Sequence, residues 1–154
     1  MNVNLIELLK VHLKELTNAA AILTLSYDKC SSISIEPGLD NDQLESLEAL
    51  TARFARLSDL FIQKALRTLG AMDLEDSGTV RDRINRAEKK GIVKSAEKLV
   101  KIRMLRNEIA HEYKPETILE IFGNVIALTP DLLKAVDKFS QVATSYVEEN
   151  EMVE

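Results

Sequence analysis

From Asn4 to Lys29 the chain reads NLIELLKVHLKELTNAAAILTLSYDK, a stretch without Gly or Pro in which one set of positions returns at alternating steps of three and four. Leu5, Leu9, His12, Leu16, Ala19 or Ala20, Leu23 and Tyr27 make up that set. A period near 3.6 puts them on one side, so a long amphipathic helix is expected over 4–29. Ser31 to Leu39 holds serines, Pro37 and Gly38 and reads as a loop. Asp40 with Gln43 then forms a capping box, and Leu44, Leu47, Leu50 or Thr51, Phe54, Leu57, Phe61, Ala65 and Leu69 make a second long stripe, which Gly70 should stop.

The rest of the chain is punctuated in the same way. Met72 to Gly78 is a connector, Thr79 is a cap, and Val80 to Lys90 is a short charged helix ending at Gly91. Ser95 caps a fourth helix. Pro115 disfavours helical geometry at Lys114, so that helix should end near His111 or Tyr113, and Pro115 suits the first turn of a last helix. Leu119, Phe122, Val125 or Ile126, Leu132 or Leu133, Val136, Phe139, Val142 and Tyr146 continue an apolar stripe, with a kink expected at Pro130. The acidic tail 148–154 is expected to fray.

A chain of 154 residues that is 45% hydrophobic and 29% charged fits one core better than two, so 1–147 is read as a single domain. Five Gly, three Pro and no Trp, with much Leu, Ala, Glu and Lys, favour helix over sheet. The expected fold is all-α, an up-and-down bundle of about five helices. Cys30 has no cysteine to pair with, and His12 and His111 are the only histidines, so neither a disulfide nor a Cys/His metal cluster is expected, nor any cofactor. The compartment expected is a reducing cytoplasm. Glu7, Lys10 and His12 interrupt the apolar pattern of the N-terminus, which argues against a signal peptide. Nowhere do the roughly 18 to 20 consecutive apolar residues of a membrane span occur.

Charge is unevenly distributed. Ten Lys/Arg and three acids lie between Arg81 and Arg106, a local net of +7 in a chain of net −5, which leaves −12 on the remainder. A basic segment in an acidic chain suggests a localised polyanion surface, with Arg86, Lys98, Lys101 and Arg103 as its RNA-contacting residues. Directly after it stands Arg106-Asn-Glu-Ile-Ala-His111-Glu-Tyr113. Guanidinium binds phosphate oxygens bidentately and imidazole moves protons near neutral pH, so the pair suits a phosphodiester. At about 100° per residue, with Ile102 as zero, Leu105 and Ile109 fall on the buried side, whereas Arg103, Asn107 and His111 lie near 100°, 140° and 180°. His111 should therefore face away from the core of its own helix.

Arg106-X4-His111-X-Tyr113, with Asn107 after the arginine, resembles the motif of the HEPN superfamily, specifically the HepT-like toxins encoded beside a minimal nucleotidyltransferase antitoxin. The likeness covers nearly the whole chain: two long helices, a short charged one, the motif at the end of the fourth and a last helix entered through Pro115. It implies a metal-independent endoribonuclease, working as a homodimer in which two motifs form one cleft. His111 would transfer protons, Arg106 would stabilise the phosphorane-like transition state, and Asn107 would orient the site. Tyr113 matches the tyrosine that the partner transferase modifies with AMP. Such a protein would be the toxin of a type VII-like pair, with RNA, tRNA among the candidates, as substrate and no membrane as partner.

Blander readings stand beside each of these. Arg106 could pair with Glu108, Glu112 or an acid of another helix, as surface arginines do for under about 1 kcal/mol. His111 could be an unused helix-terminal histidine, Tyr113 a packed ring, and the basic run a solvated face. His12 sits on the apolar stripe and is left out of the site, and Cys30 is read as structural. Related bundles also serve as non-catalytic nucleotide- or substrate-binding subunits of a nucleotidyltransferase, and a purely structural dimerising bundle is the third reading.

Overall fold

A computed structural model describes residues 3–75, 77–111 and 115–153. Its elements are α1 (Val3–Cys30), α2 (Asn41–Asp59), a π-helical turn (Leu60–Ala65), α3 (Leu66–Met72), α4 (Val80–Lys89), α5 (Ala96–His111) and α6 (Pro115–Val153). Residues 41–72 run as one rod, so five helical rods make an up-and-down bundle, and the described residues contain no strand. α1 packs on the 41–72 rod and on α6; α5 lies against α2, α4 and α6. The expected architecture is thus the observed one.

The stripes become the core. Leu9, Leu16 and Leu23 of α1 meet Leu47, Leu50, Phe54 and Leu57 of α2, all fully buried. Phe122, Val125, Leu132 and Phe139 of α6 close it, with Phe61 and Phe139 edge to face at 5.7 Å between ring centroids. Leu57, Phe61, Ala65 and Leu69 are spaced in fours, and in a regular α-helix each such step drifts about 40° round the axis. The π turn winds less per residue and takes up that drift, so all four stay buried. Its geometry shows in Leu66 N–H, which donates five residues back to the Phe61 carbonyl. Arg83 of α4 donates to the Ile62 carbonyl at 3.2 Å.

The expected capping box at Asp40 forms, and the expected cap at Thr79 is also a box. Asp40 and Gln43 exchange side-chain and backbone bonds at 2.8 and 3.0 Å, and Thr79 and Asp82 do so at 3.1 and 2.8 Å. Gly91 ends α4 as read, at φ +74 with its N–H on Glu88 and the Ile92 N–H on Ala87, the paired bonds of a Schellman cap. Gly70 does not stop the second rod. The helix continues to Met72 and closes the same way one turn later, with Glu75 N–H on the Gly70 carbonyl at 2.7 Å and Leu74 N–H on Ala71 at 3.1 Å. The left-handed position is Leu74, φ +60. Glycine is needed at 70 for a different reason: a Cβ there would lie 3.0 Å from the Glu75 carbonyl oxygen.

α6 is one helix through Pro130 and reaches Val153. Glu151 pairs with Lys10 of α1 at 3.1 Å, which links the last turns to the bundle, and Asn150 donates within α6 to the Tyr146 carbonyl at 2.7 Å. Upstream, the Tyr146 hydroxyl and the Lys90 ammonium each donate to Asp73 Oδ2 at 2.6 Å, fastening the connector after α3. Burial pushes the Asp73 carboxyl up, but these two donors outweigh it and hold it below the usual range.

Leu74 is 90% exposed, so its side chain contributes little burial while its backbone is strained. Leu74→Gly should raise stability by about 0.5 to 1 kcal/mol in urea unfolding; an unchanged or lower midpoint would count against strain at this cap.

His12 is 8% exposed and its Nδ1 has no hydrogen-bond partner. Burial lowers its pKa, Glu15 works against that shift and Lys64 adds to it. The unfolded chain then binds the His12 proton more tightly than the folded one, so stability should decline as pH falls below about 6.5, before carboxylates titrate. Unfolding midpoints at pH 7 and pH 5.5 should differ in the wild type and differ less in His12→Leu. Equal pH dependence of both proteins would show that His12 is not the group responsible.

Candidate functional site

α5 presents its apolar side, Leu99, Ile102 and Leu105, to the core and its motif side to the middle of the second rod. There the structure opens a cleft of about 410 Å³. Arg103, Arg106 and Asn107 line it from α5, and Asp59, Gln63 and Lys64 line it from the end of α2 and the π turn. On a helix these three α5 residues share about 100° of arc, so their convergence follows from spacing alone. The π turn sets the opposite wall.

Arg106 is held by Asp59. Its Nε donates to Oδ1 at 2.5 Å and one Nη to Oδ2 at 2.8 Å, a bidentate pair across 47 residues of sequence. Those bonds raise the Arg106 pKa, with burial opposing and the Asp59 charge adding to the rise. An arginine carries five N–H donors, so three remain after this pair. With Arg103 and Lys64 beside them, the cleft carries three cations against the single Asp59 carboxylate. Arg103 also has a buried Nε without a hydrogen-bond partner. Burial, together with Arg67, Arg103 and Arg86, holds the Arg83 pKa down, so four guanidiniums cluster where α4 and α5 approach the rod.

The motif residues do not all converge. His111 is exposed at the last described residue of α5, as helix geometry required, and is not among the residues lining the cleft. Arg106 and Asn107 line the cleft together, and His111 does not line it. Tyr113 lies outside the described residues.

The basic segment has a different local meaning from the one its charge suggested. Among the described residues, five of its ten cations meet carboxylates: Arg81 with Glu97, Arg86 with Glu75, Lys90 with Asp73, Lys98 with Asp131 and Arg106 with Asp59. Four of those acids come from the acidic remainder of the chain. Arg86 also donates to the Glu75 and Ser77 carbonyls at 2.5 and 2.7 Å, so this RNA-binding candidate is a strut of the connector before α4. Lys98 lies on α6 through Asp131 at 3.3 Å. Lys101 is exposed and Arg103 lines the cleft.

Asp59, Gln63 and Lys64 were not singled out from sequence. The spacing by fours around Phe61 was the one local signal, because it marks the π turn that presents Gln63 and Lys64. Among the described residues no group of three His, Cys, Asp or Glu stands close enough to hold a metal ion, and no helix is long and apolar enough to cross a membrane. No family model, curated protein or solved structure matches the chain.

The Arg106–Asp59 pair is partly exposed, so removing its charge should cost less than about 1 kcal/mol. Asp59→Asn should instead tighten binding of a single-stranded polyribonucleotide such as poly(U) and steepen the slope of log K against log salt by about 0.7, one more effective cation. Unchanged affinity and slope would mean that the cleft does not face the polyanion.

Proposed function

We propose that the chain is the toxin of a toxin–antitoxin pair of the HEPN type, an endoribonuclease that cleaves RNA, with tRNA among its candidate substrates. The observation that supports this reading most directly is Arg106, oriented by Asp59 with three donors unspent, beside Arg103, Lys64 and Asn107 in one cleft. A phosphodiester seated there meets preorganised positive charge where the transition state gathers negative charge. The ribose 2′-oxygen bonds to phosphorus as the bond to the 5′-oxygen breaks; a base takes the 2′-OH proton, and an acid protonates the leaving oxygen. The products are a 2′,3′-cyclic phosphate and a 5′-hydroxyl.

His111 is the proton-transfer group in this proposal. His111 does not line the cleft that holds Arg106, and in the proposed homodimer the histidine serving a given Arg106 comes from the second copy, so that the site is composite. A cognate nucleotidyltransferase antitoxin neutralises the toxin by adding AMP to Tyr113, placing bulk and negative charge beside the motif.

A second reading draws on the same pair of facts. Arg106 engaged by Asp59 and His111 outside the cleft also suit a non-catalytic subunit that holds a nucleotide or RNA for a partner nucleotidyltransferase. One comparison separates the two. Wild type, Arg106→Ala and His111→Ala are expressed and assayed for growth arrest and for RNA cleavage in EDTA. The nuclease reading expects cleavage by the wild type and a loss of at least about 100-fold in either variant, the usual scale of acid–base and charge stabilisation. Equal behaviour of all three would sink it. RNA binding that Arg106→Ala weakens, without cleavage by any of them, supports the binding subunit.

A further inference from the structure

α1 carries a second stripe that the bundle leaves largely exposed. Leu8, Val11, Ile22 and Leu25 are exposed by 43%, 52%, 42% and 68%, although they are large and apolar. With Glu15 and Asn18 between them they follow steps of three, four, three, four and three, a heptad seam confined to about 100° of the helix surface. From Leu8 to Leu25 it is about 26 Å long.

The order of residues along this seam reads the same from both ends: apolar, apolar, polar, polar, apolar, apolar. Laid antiparallel on another α1 about an axis level with the Leu16–Thr17 peptide, Leu8 meets Leu25 of the second copy and Val11 meets Ile22 of the second copy. Glu15 meets Asn18 of the second copy. The residue numbers of every pair sum to 33, and each pair occurs twice, as an isologous interface requires. The central pairs are complementary, because an Asn amide N–H donates to a Glu carboxylate. Slipping the register by one heptad places Asn18 or Glu15 opposite Leu, Val or Ile, which leaves polar groups without partners. A polar centre between apolar ends therefore specifies one alignment.

We infer that α1 is the dimerisation helix of this protein, pairing antiparallel with α1 of a second copy about the Glu15–Asn18 centre. Glu15, Asn18 and Ile22 also line a groove of about 710 Å³ whose other wall includes Asp59 and Lys64, the residues that wall the cationic cleft. The groove flanks the seam, so pairing brings each cleft alongside the dimer axis. This deepens the composite site and rests on the proposed function only for that consequence; the pairing itself rests on the surface of α1.

The test is a charge exchange read by light scattering. The wild type should have twice the 17.3 kDa of one chain, whereas Val11→Lys and Ile22→Glu should each give monomers. The double variant should be a dimer again, because positions 11 and 22 then face each other as Lys and Glu. A parallel seam would oppose Lys to Lys and Glu to Glu, and no recovery would occur. Both positions are exposed, so circular dichroism should show unchanged helicity in all four proteins. In a Cys30→Ala background, Val11→Cys with Ile22→Cys should form a disulfide-linked dimer on oxidation and Val11→Cys alone should not. A monomeric wild type, single variants that stay dimeric, or a double variant that stays monomeric each overturns the proposal. A monomer that still cleaves RNA would remove the dimer and spare the nuclease; a dimer that cleaves nothing would do the reverse.

Discussion

The rod from Asn41 to Met72 has to serve α1, α5 and α6 at once, and one constraint governs how it does so: its buried positions near the middle return every four residues, whereas an α-helix turns in 3.6. Left uncorrected, the stripe through Leu57, Phe61, Ala65 and Leu69 would walk off the core. The π turn restores it and lets Phe61 and Ile62 both go inside. A wider turn also changes what the rod shows to its neighbours. Ile62 offers a carbonyl that Arg83 takes, and Gln63 and Lys64 come to face α5. The requirement that keeps the core packed thus also builds one wall of the cleft.

Electrostatics binds the same elements from outside. A net of +7 over 26 residues would repel itself if it stood alone, and the acidic remainder of the chain supplies the counter-charge. Asp59, Asp73, Glu75 and Asp131, from three different parts of the bundle, each meet a cation of α4, of α5 or of the end of α4. Any one of these partly exposed pairs contributes little. Their joint effect is to orient α4 and α5 on the rod and on α6. Within the cleft it leaves Arg103, Lys64 and the unspent donors of Arg106 as the positive charge open to a ligand.

Local signals were readable in the sequence to the residue. The box at Asp40, the cap at Thr79, the stop at Gly91 and the start at Pro115 all depend on a few neighbouring groups, and each stands where spacing put it. Gly70 misled because a glycine serves two purposes, left-handed backbone or close approach, and only the fold shows that here it admits the Glu75 carbonyl. In the site, the α5 face was legible from helical arc. Asp59 was not, since nothing local connects residues 59 and 106.

That unread contact bears most directly on what the cleft can do. The Arg106–Asp59 pair is too exposed to matter much for stability, and an arginine near a lone carboxylate would usually sample many rotamers. Two simultaneous hydrogen bonds remove that freedom and present the remaining donors in one plane. Orientation fixed before a ligand arrives is a cost the ligand does not meet on binding, and it is what stabilising a transition state by charge demands. Asp59 lowers the net charge of the cleft and at the same time makes its central guanidinium rigid. A surface that only attracts polyanions gains nothing from giving up that charge. A site that must hold one phosphate in one geometry gains from the exchange, and on that ground Asp59 belongs with the working residues of the cleft.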